Sequence, residues 1–384
     1  MNINLKPPLV HIDHEYLRDI LLKLLDIPSP TGFTDEVVRF TCEELGRLGL
    51  HYSLTRRGAI RADLRGRCST PARAIVAHLD TIGAMIRDLK GNGRLALAPI
   101  GTWSSRFAEG ARASVFTERH RYRGTVLPIK ASGHAFHIEV DTLPVTWDNV
   151  ELRLDEPVIE KADLAQLGLN VGDFVAFDPC PDLTPNGFIN SRHLDDKAGV
   201  AVMLAVAKAV RQNNLEPVVD CHLLFTITEE VGSGASAVLH GDVAEMVTID
   251  TGPVASGQSG DEFGVTVCMQ DSSGPFDYHL TRKLLRLCED AGIRHKRDVF
   301  RYYRCDSASA LEAGNDIRTA LVCFGTDATH GHERTHIDAL DALGKLLGAY
   351  LLSDPVSRRD ETDLGSLSGF THLPVDPEIF AVED

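Results

Sequence analysis

The sequence lacks the features typical of secreted and membrane-spanning proteins. None of its eight cysteines forms a Cys-x-x-Cys pair, so we expect reduced thiols that fill apolar space rather than a disulfide framework. The first residues contain no apolar leader, and no apolar run approaches the length of a membrane span. These absences predict a cytoplasmic protein that does not cross a membrane.

Basic residues are also few. Lys and Arg number 39 against 55 Asp and Glu, which gives a formal net charge of −16. This balance argues against nucleic acid or an anionic membrane as the main partner, because both bind basic surfaces. The chain has 384 residues, of which 43% are hydrophobic, and it can bury a large core without disulfides or structural metals.

Strand and helix patterns alternate in the first and last parts of the chain. Strands are predicted at 59–64, 74–77, within 215–228, at 246–249 and at 320–324, and helices at 16–25, between Thr34 and Gly49, and at 197–210, 235–239, 279–291 and 340–352. Strands followed by helices are typical of a parallel sheet. We therefore predict an α/β fold with a mostly parallel central sheet flanked by helices.

The pattern changes between residues 85 and 185. Short strand-like runs lie between Gly, Pro, Asp and Asn residues, at 94–97, 124–129, 137–140, 150–154 and 174–177. No long helix interrupts them, which is typical of a small, separate β domain. We predict that residues 1–84 and 186–384 form one α/β domain and that 85–185 is an insertion.

Acidic residues and histidines follow the predicted strands or precede a predicted helix. They are His78, Asp80, Asp195, Glu229, Glu230, Asp250 and His330. The carboxyl ends of parallel strands meet at the sheet edge where ligands bind. Each short motif is common by itself, so the prediction depends on their combined order. A mixed set of imidazoles and carboxylates suits Zn, Co or Mn, and two adjacent ions require a bridging carboxylate.

Five segments resemble those of the deblocking, or tetrahedral, aminopeptidases, a family of co-catalytic dinuclear metallopeptidases that includes glutamyl aminopeptidases. They are AHLDTIGAMI (77–86), GDFVAFDP (172–179), HLDDKAGVAVML (193–204), FTITEEVGSGA (225–235) and VTIDTG (247–252). The resemblance implies a phosphorylase/hydrolase-like core with an inserted β-barrel domain for oligomerisation, in a homo-oligomer such as a dodecamer. Within the family, the chain resembles the subgroup associated with the N-acetylglutaminylglutamine amide osmoprotectant system.

The resemblance also implies a role for each site residue. The metal ligands are then His78 and Asp250 for one ion, Glu230 and a carboxyl-terminal histidine for the other, and Asp195 as the bridge between them. Asp80 would orient the imidazole of His78 without binding metal itself. Glu229 would be the general base, which takes a proton from the attacking water and passes it to the leaving amine.

The last ligand is the one departure from the family pattern. The family has an Arg-Tyr-x-His-Ser type of segment there, whereas this chain has THGHERTH (329–336) with three histidines. We choose His330, because a short loop after the strand 320–324 brings it to the sheet edge. Its surroundings also resemble the His-Gly-Pro-Asn-Glu-Arg segment of related amidohydrolases. His336, which could instead cap the last helix or bind substrate, is the second candidate, and His332 is the third.

Together these features predict a dinuclear metallo-aminopeptidase that acts on short peptides, with zinc as the first choice of metal and cobalt or manganese as alternatives. A second hypothesis is an amidase or deacylase of a small peptide-like metabolite, which a comparison of free and N-acylated peptides would separate. A third is a metal-binding scaffold without catalysis. The presence of Glu229 argues against the scaffold, because loss of the base is the simplest way to inactivate such an enzyme.

Overall fold

Eighteen strands and nine α-helices build the described part of the chain, which covers residues 9–239 and 241–373 of a computed structural model. The helices are α1 (His14–Asp26), α2 (Asp35–Arg47), α3 (Gly133–Phe136), α4 (Glu139–Thr142), α5 (Lys161–Gln166), α6 (Leu194–Gln212), α7 (Tyr278–Ala291), α8 (Asp306–Glu312) and α9 (Ile337–Leu351). The strands are β1 (Tyr52–Leu54), β2 (Ile60–Leu64), β3 (Cys68–His78), β4 (Gly83–Leu89), β5 (Leu95–Ile100), β6 (Arg112–Phe116), β7 (Arg121–Pro128), β8 (Val150–Leu154), β9 (Phe174–Phe177), β10 (Asp182–Leu183), β11 (Phe188–Ser191), β12 (Val219–Thr226), β13 (Val243–Pro253), β14 (Val265–Asp271), β15 (Gly274–Pro275), β16 (His295–Val299), β17 (Arg318–Thr326) and β18 (Glu333–His336).

The central sheet is parallel in the middle and antiparallel towards its edges. Its order is β1-β2-β12-β3-β13-β17-β14-β15, and β16 pairs with β14. The four strands β12, β3, β13 and β17 run parallel, whereas β2 and β14 pair with them in the antiparallel sense. The predicted α/β fold is confirmed, and the sheet is mixed because antiparallel strands flank the parallel centre.

Helix α6 is buried against the central sheet. All of its residues from 194 to 207 are buried, and the helix packs against α1, α9, β3 and β13. A helix that is apolar on every face belongs in a core rather than on a surface. The Ala, Val, Met and Leu residues of 198–207 thus hold the amino-terminal end of α6 against the carboxyl ends of β3 and β13.

The insertion forms a closed barrel of six strands in the order β4-β5-β8-β7-β6-β9. Closure leaves no unpaired sheet edge, and the interior is a separate apolar core. The prediction of an inserted small β-barrel is confirmed. The prediction of a strand at 137–140 is wrong, because the short helices α3 and α4 lie within 133–142. The apolar-polar alternation there has no buried face, since every residue of 131–139 is exposed.

A second, three-stranded antiparallel sheet pairs the strand before α6 with the strand before α9. In this sheet β11 pairs with β10 and with β18, so that Ser191 lies opposite Glu333. Strand β11 leads directly into α6, and β18 leads directly into α9. The sheet therefore fixes the segment before Asp195 relative to the segment after His330. Among the described residues, no helix combines the length and the apolar character that crossing a membrane requires.

Candidate metal centre

The predicted site residues converge at the carboxyl edge of the parallel strands. His78 ends β3, Asp250 lies near the end of β13, Glu229 and Glu230 follow β12, and Asp195 lies in the first turn of α6. The possible ligand atoms of His78, Asp195 and Glu230 all lie within 4.8 Å of one another, and so do those of His78, Glu229 and Asp250. One small volume thus holds imidazole and several carboxylates.

Asp195 lies between two imidazoles. Its Oδ1 is 2.9 Å from His78 Nε2, and its Oδ2 is 3.4 Å from His330 Nε2. Glu230 Oε2 is also 3.4 Å from His330 Nε2. Residues 195 and 196 depart from helical dihedral angles, which lets the first turn of α6 present the carboxylate to the sheet edge. Each oxygen of Asp195 therefore faces one half of the cluster.

The three candidate histidines of the last segment have different surroundings. His330 lies in the loop after β17, and its Nδ1 is 3.1 Å from the carbonyl oxygen of Thr102. His332 is exposed. His336 is the N-cap of α9, where its Nδ1 accepts a hydrogen bond from the Asp338 N–H at 3.1 Å, and its Nε2 contacts a backbone carbonyl at 2.8 Å. The structure thus brings His330 to the cluster and uses His336 as a helix cap.

Asp80 acts through two different groups. Its backbone carbonyl is 2.8 Å from His78 Nδ1, whereas its carboxylate oxygen is 3.7 Å from that nitrogen. The carboxylate instead accepts hydrogen bonds from Thr31 Oγ1 at 2.6 Å and from the N–H groups of Glu229 and Glu230 at 3.1 and 3.3 Å. We expected the Asp80 side chain to orient His78. In the structure, the carbonyl contacts that imidazole, and the carboxylate holds the loop with the two glutamates.

Two further buried acids support the site, and our sequence interpretation missed both. Glu333 on β18 accepts hydrogen bonds from the N–H groups of Asp195 and His330 at 3.1 and 2.9 Å. Asp306 at the start of α8 accepts from Thr226 Oγ1 at 2.6 Å and from Ala235 N–H at 2.8 Å. Asp195, Thr226 and Ala235 lie far from these acids in sequence, whereas His330 is only three residues from Glu333. The nearness of Glu333 to the three histidines is the only signal that the sequence gives.

Glu229 and Asp250 are buried close to other carboxylates, which disfavours their charged forms. Burial raises the pKa of Glu229 and of Asp250 well above the ordinary range, and nearby carboxylates, such as Asp195 beside Asp250, raise them further. Burial opposes the charge on His330, but Asp195 and Glu230 outweigh it and raise its pKa to about 12. Divalent cations would remove this repulsion between the carboxylates.

The donor set fits a divalent transition metal. The Nδ1 atoms of His78 and His330 contact the backbone carbonyls of Asp80 and Thr102, so both Nε2 atoms face the carboxylates. A histidine ligand commonly has its second ring nitrogen bound to a carbonyl or carboxylate in this way. Imidazole nitrogens mixed with carboxylate oxygens suit Zn, Co or Mn.

A cavity of about 830 Å³ leads to the cluster. Asp195, Glu229, Asp250 and His330 line one part of it, and the loop 300–304 lines another. A cavity of this size has room for a short peptide. The arrangement can therefore hold metal ions at the end of a peptide-sized cavity, with further carboxylates beside them for proton transfer.

Comparison with known sequences agrees with this chemistry. The sequence model of the family described as M42 glutamyl aminopeptidase matches residues 58–346. The chain is 37% identical over 339 residues to YhfE of Bacillus subtilis (strain 168), a protein whose name places it among the aminopeptidases. That alignment covers 88% of this chain and 98% of YhfE.

Comparison with solved structures shows the same fold. A TET aminopeptidase from the marine sediment archaeon Thaumarchaeota archaeon SCGC AB-539-E09 superimposes with a TM-score of 0.80 at 16% identity, over 88% of this chain and 96% of that chain. The TET1 peptidase of Pyrococcus horikoshii superimposes with a TM-score of 0.77 at 22% identity, over 88% of this chain and 99% of that chain. Because the family model spans most of the sequence, the chain belongs to the M42 glutamyl aminopeptidase family and is a metal-dependent aminopeptidase.

Proposed function

We propose that this enzyme removes the amino-terminal residue of short peptides with two divalent metal ions, zinc being the first choice and cobalt or manganese the alternatives. His78 and Asp250 would hold one ion, Glu230 and His330 would hold the other, and Asp195 would bridge them. The observation that carries this proposal is the position of Asp195, whose two oxygens each face a different imidazole, at 2.9 and 3.4 Å. One carboxylate so placed can serve two ions.

The chain's own residues would position and deprotonate the reactants. When bound, the two metal ions supply a Lewis acid for the scissile carbonyl, an anchor for the free amino terminus and a lower pKa for the attacking water. Glu229 accepts the proton of that water and gives it to the leaving amine. Asp80 keeps Glu229 in place through the backbone, because its carboxylate accepts the Glu229 N–H at 3.1 Å.

A metal titration tests the proposal. Chelated protein receives Zn²⁺, Co²⁺ or Mn²⁺ in increments, and the release of free amino acid from short peptides and aminoacyl chromogenic substrates is measured. We expect activity to rise until two equivalents are bound, and N-acylated peptides to remain intact. Full activity at one equivalent would contradict the two-ion centre. Cleavage of N-acylated peptides in preference to free ones would favour the amidase or deacylase hypothesis.

We also propose that the enzyme is a homo-oligomer, such as a dodecamer, in which the insertion 85–185 contacts neighbouring subunits and 1–84 with 186–384 form the catalytic domain. In support, the TET1 peptidase of Pyrococcus horikoshii is described as assembling into a tetrahedron or a large octahedral shell. Phe136 and Ile138, at the α3–α4 segment of the insertion, expose 36% and 58% of their surface. Such apolar side chains are candidates for subunit contact.

Light scattering of point variants tests the subunit contact without removing a domain. We expect Phe136→Ser with Ile138→Glu to give a smaller particle. Leu54→Glu is the control, because Leu54 is 52% exposed on β1, outside the insertion. An unchanged particle for the first variant, or an equal loss of size in the control, would contradict this contact.

The compartment of the protein and its subgroup within the family are separate questions. We propose a cytoplasmic location, for which the support is that all eight cysteines are free and six are buried, as expected of reduced thiols. The association with the N-acetylglutaminylglutamine amide osmoprotectant system stays a prediction. Assays with peptides that end in a free carboxylate and with their amides would test it.

A further inference from the structure

Tyr303 has a buried hydroxyl group beside the metal centre. The residue lies in the loop between β16 and α8, and its ring lines the same cavity as Asp250. Within residues 9–239 and 241–373, the hydroxyl oxygen is buried and makes no hydrogen bond. Buried hydroxyl groups in proteins nearly always have a partner, because an unpaired one is costly. This hydroxyl therefore calls for an explanation in terms of function.

Backbone hydrogen bonds and a ring contact hold Tyr303 in place. Phe300 N–H donates to the carbonyl of Gln270 at 2.9 Å, and Ser272 N–H donates to the carbonyl of Tyr303 at 2.9 Å. The Phe300 and Tyr303 rings meet edge to face, with centroids 5.4 Å apart. Two backbone bonds to the end of β14 and one ring contact thus fix the phenol.

Asp250, which lines the same cavity, offers an acceptor for this hydroxyl. Its Oδ1 accepts hydrogen bonds from Thr251 N–H at 2.7 Å and from Thr251 Oγ1 at 3.5 Å, whereas no donor reaches its Oδ2 from the described residues. Burial and the charge of Asp195 raise the pKa of Asp250, and the Tyr303 hydroxyl beside it opposes that rise. A phenol is protonated at neutral pH, so Tyr303 can only donate to this carboxylate.

We propose that Tyr303 is a positioning residue for Asp250, whose carboxylate receives the phenolic O–H when it binds a metal ion. The inference rests on the proposed role of Asp250 as a ligand. A ligating carboxylate commonly uses one oxygen for the metal and receives a hydrogen bond at the other. With Tyr303 as that donor, the carboxylate has a fixed orientation and the hydroxyl gains its partner.

The burial of the hydroxyl favours this role over direct contact with substrate. The Tyr303 side chain is partly exposed, but its oxygen is not. A peptide in the cavity can therefore contact the exposed part of this side chain but not its oxygen. The neighbouring Tyr302 is 95% exposed and carries the same hydroxyl in solvent, which makes it a matched control.

The test is Tyr303→Phe, which removes only the hydroxyl. The affinity for Zn²⁺ is measured by competition with a chromogenic chelator, and thermal unfolding confirms that the variant is folded. We expect one of two ions to bind about 10 to 100 times more weakly, as is usual when the hydrogen-bond partner of a ligand is lost, and the other to change little. Tyr302→Phe should bind both ions as the wild type does.

Two other outcomes would overturn the proposal. If Tyr303→Phe binds both ions as tightly as the wild type, the hydroxyl does not position a ligand. If kcat falls while both affinities stay unchanged, it acts on the substrate instead. The affinity measurement needs no peptide, so it remains informative even if the protein does not cleave peptides as proposed.

Combining Tyr303→Phe with a substitution of Asp250 shows whether the hydroxyl acts through that residue. In Asp250→Ala we expect the ion at this half of the centre to bind more weakly, and residue 250 then has no side-chain acceptor for the phenolic O–H. Because Tyr303 is proposed to act through Asp250, adding Tyr303→Phe should cause no further weakening of either ion. A further loss of affinity in the double variant would mean that the hydroxyl supports the loop in general, and it would contradict the proposal.

Discussion

The side chain of Glu333 accepts a hydrogen bond from the backbone N–H of Asp195 at 3.1 Å, although the two residues are 138 positions apart. Its second oxygen accepts the N–H of His330 at 2.9 Å. One buried carboxylate thus fixes both the proposed bridging ligand and the proposed last ligand. Pairing of Ser191 with Glu333 between β11 and β18 holds this carboxylate beside the segment that leads to Asp195.

We expect Glu333→Gln to weaken metal binding by about 10 to 100 times. The amide has one accepting oxygen, so its NH₂ group must face one of two backbone N–H donors. Equilibrium dialysis with elemental analysis measures the effect. Glu262→Gln is the control, because Glu262 is also buried but binds the guanidinium of Arg334, at 2.8 and 2.9 Å. Equal affinities in the two variants would refute a special role for Glu333.

Glu229→Gln should keep the metal ions and lower kcat by about 10² to 10⁴ times, the usual range for loss of a general base. The adjacent Glu230 contacts His330 at 3.4 Å, and Glu230→Gln should instead reduce metal content. Steady-state kinetics on metal-loaded protein, with metal analysis of the same samples, separates the two roles. A Glu229→Gln variant with near wild-type kcat and full metal content would mean that another group is the base.

Asp195→Asn should lower the occupancy of both metal ions together, because a bridging carboxylate serves two ions at once. His78→Ala should mainly weaken the binding of one ion, since His78 contacts only one oxygen of Asp195. Elemental analysis after dialysis against a weak chelator counts the ions in each variant. Loss of a single ion from the Asp195→Asn variant would exclude the bridging role.

Residues adjacent to strand ends were predictable, and those that act from a distance were not. His78 and Asp250 could be placed from sequence because the strand pattern itself fixes which edge they occupy. Glu333 and Asp306 serve backbone N–H groups that only the folded chain brings to them, and no spacing in the sequence reveals such partners. The error at 137–140 has a similar cause, because alternation predicts a strand only when one side becomes buried.

His330 and His336 should respond differently to replacement by alanine. His330→Ala removes an imidazole from the cluster, and we expect one ion to be lost. His336→Ala removes the cap of α9, which accepts the Asp338 N–H at 3.1 Å, and we expect both ions to stay while stability falls by about 0.5 to 2 kcal/mol. Metal content and urea unfolding of both variants measure this. The opposite pattern would identify His336 as the ligand.

A lysine far from the metal centre, with 12% of its side chain exposed, should affect stability at alkaline pH. Lys283 on α7 lies 3.8 Å from Glu245, and its ammonium also donates to the carbonyl of Asp354. Burial, together with the charge of Arg73, lowers the pKa of Lys283 to about 7 despite the presence of Glu245. The native protein therefore releases this proton near neutral pH, whereas the unfolded chain keeps it until about pH 10.4.

The sign of the effect follows from proton binding. Between pH 7 and 10 the unfolded chain binds more protons at this position, so Lys283 makes the free energy of unfolding rise with pH by up to about 1.4 kcal/mol per unit. Urea unfolding from pH 6 to 9 should show this as a difference in slope between the wild type and Lys283→Met, which lacks the contribution. Lys161→Met should keep the wild-type slope, because the Lys161 side chain is 60% exposed and stays solvated when the chain unfolds. Parallel curves for the wild type and Lys283→Met would show that Lys283 remains charged in the folded protein.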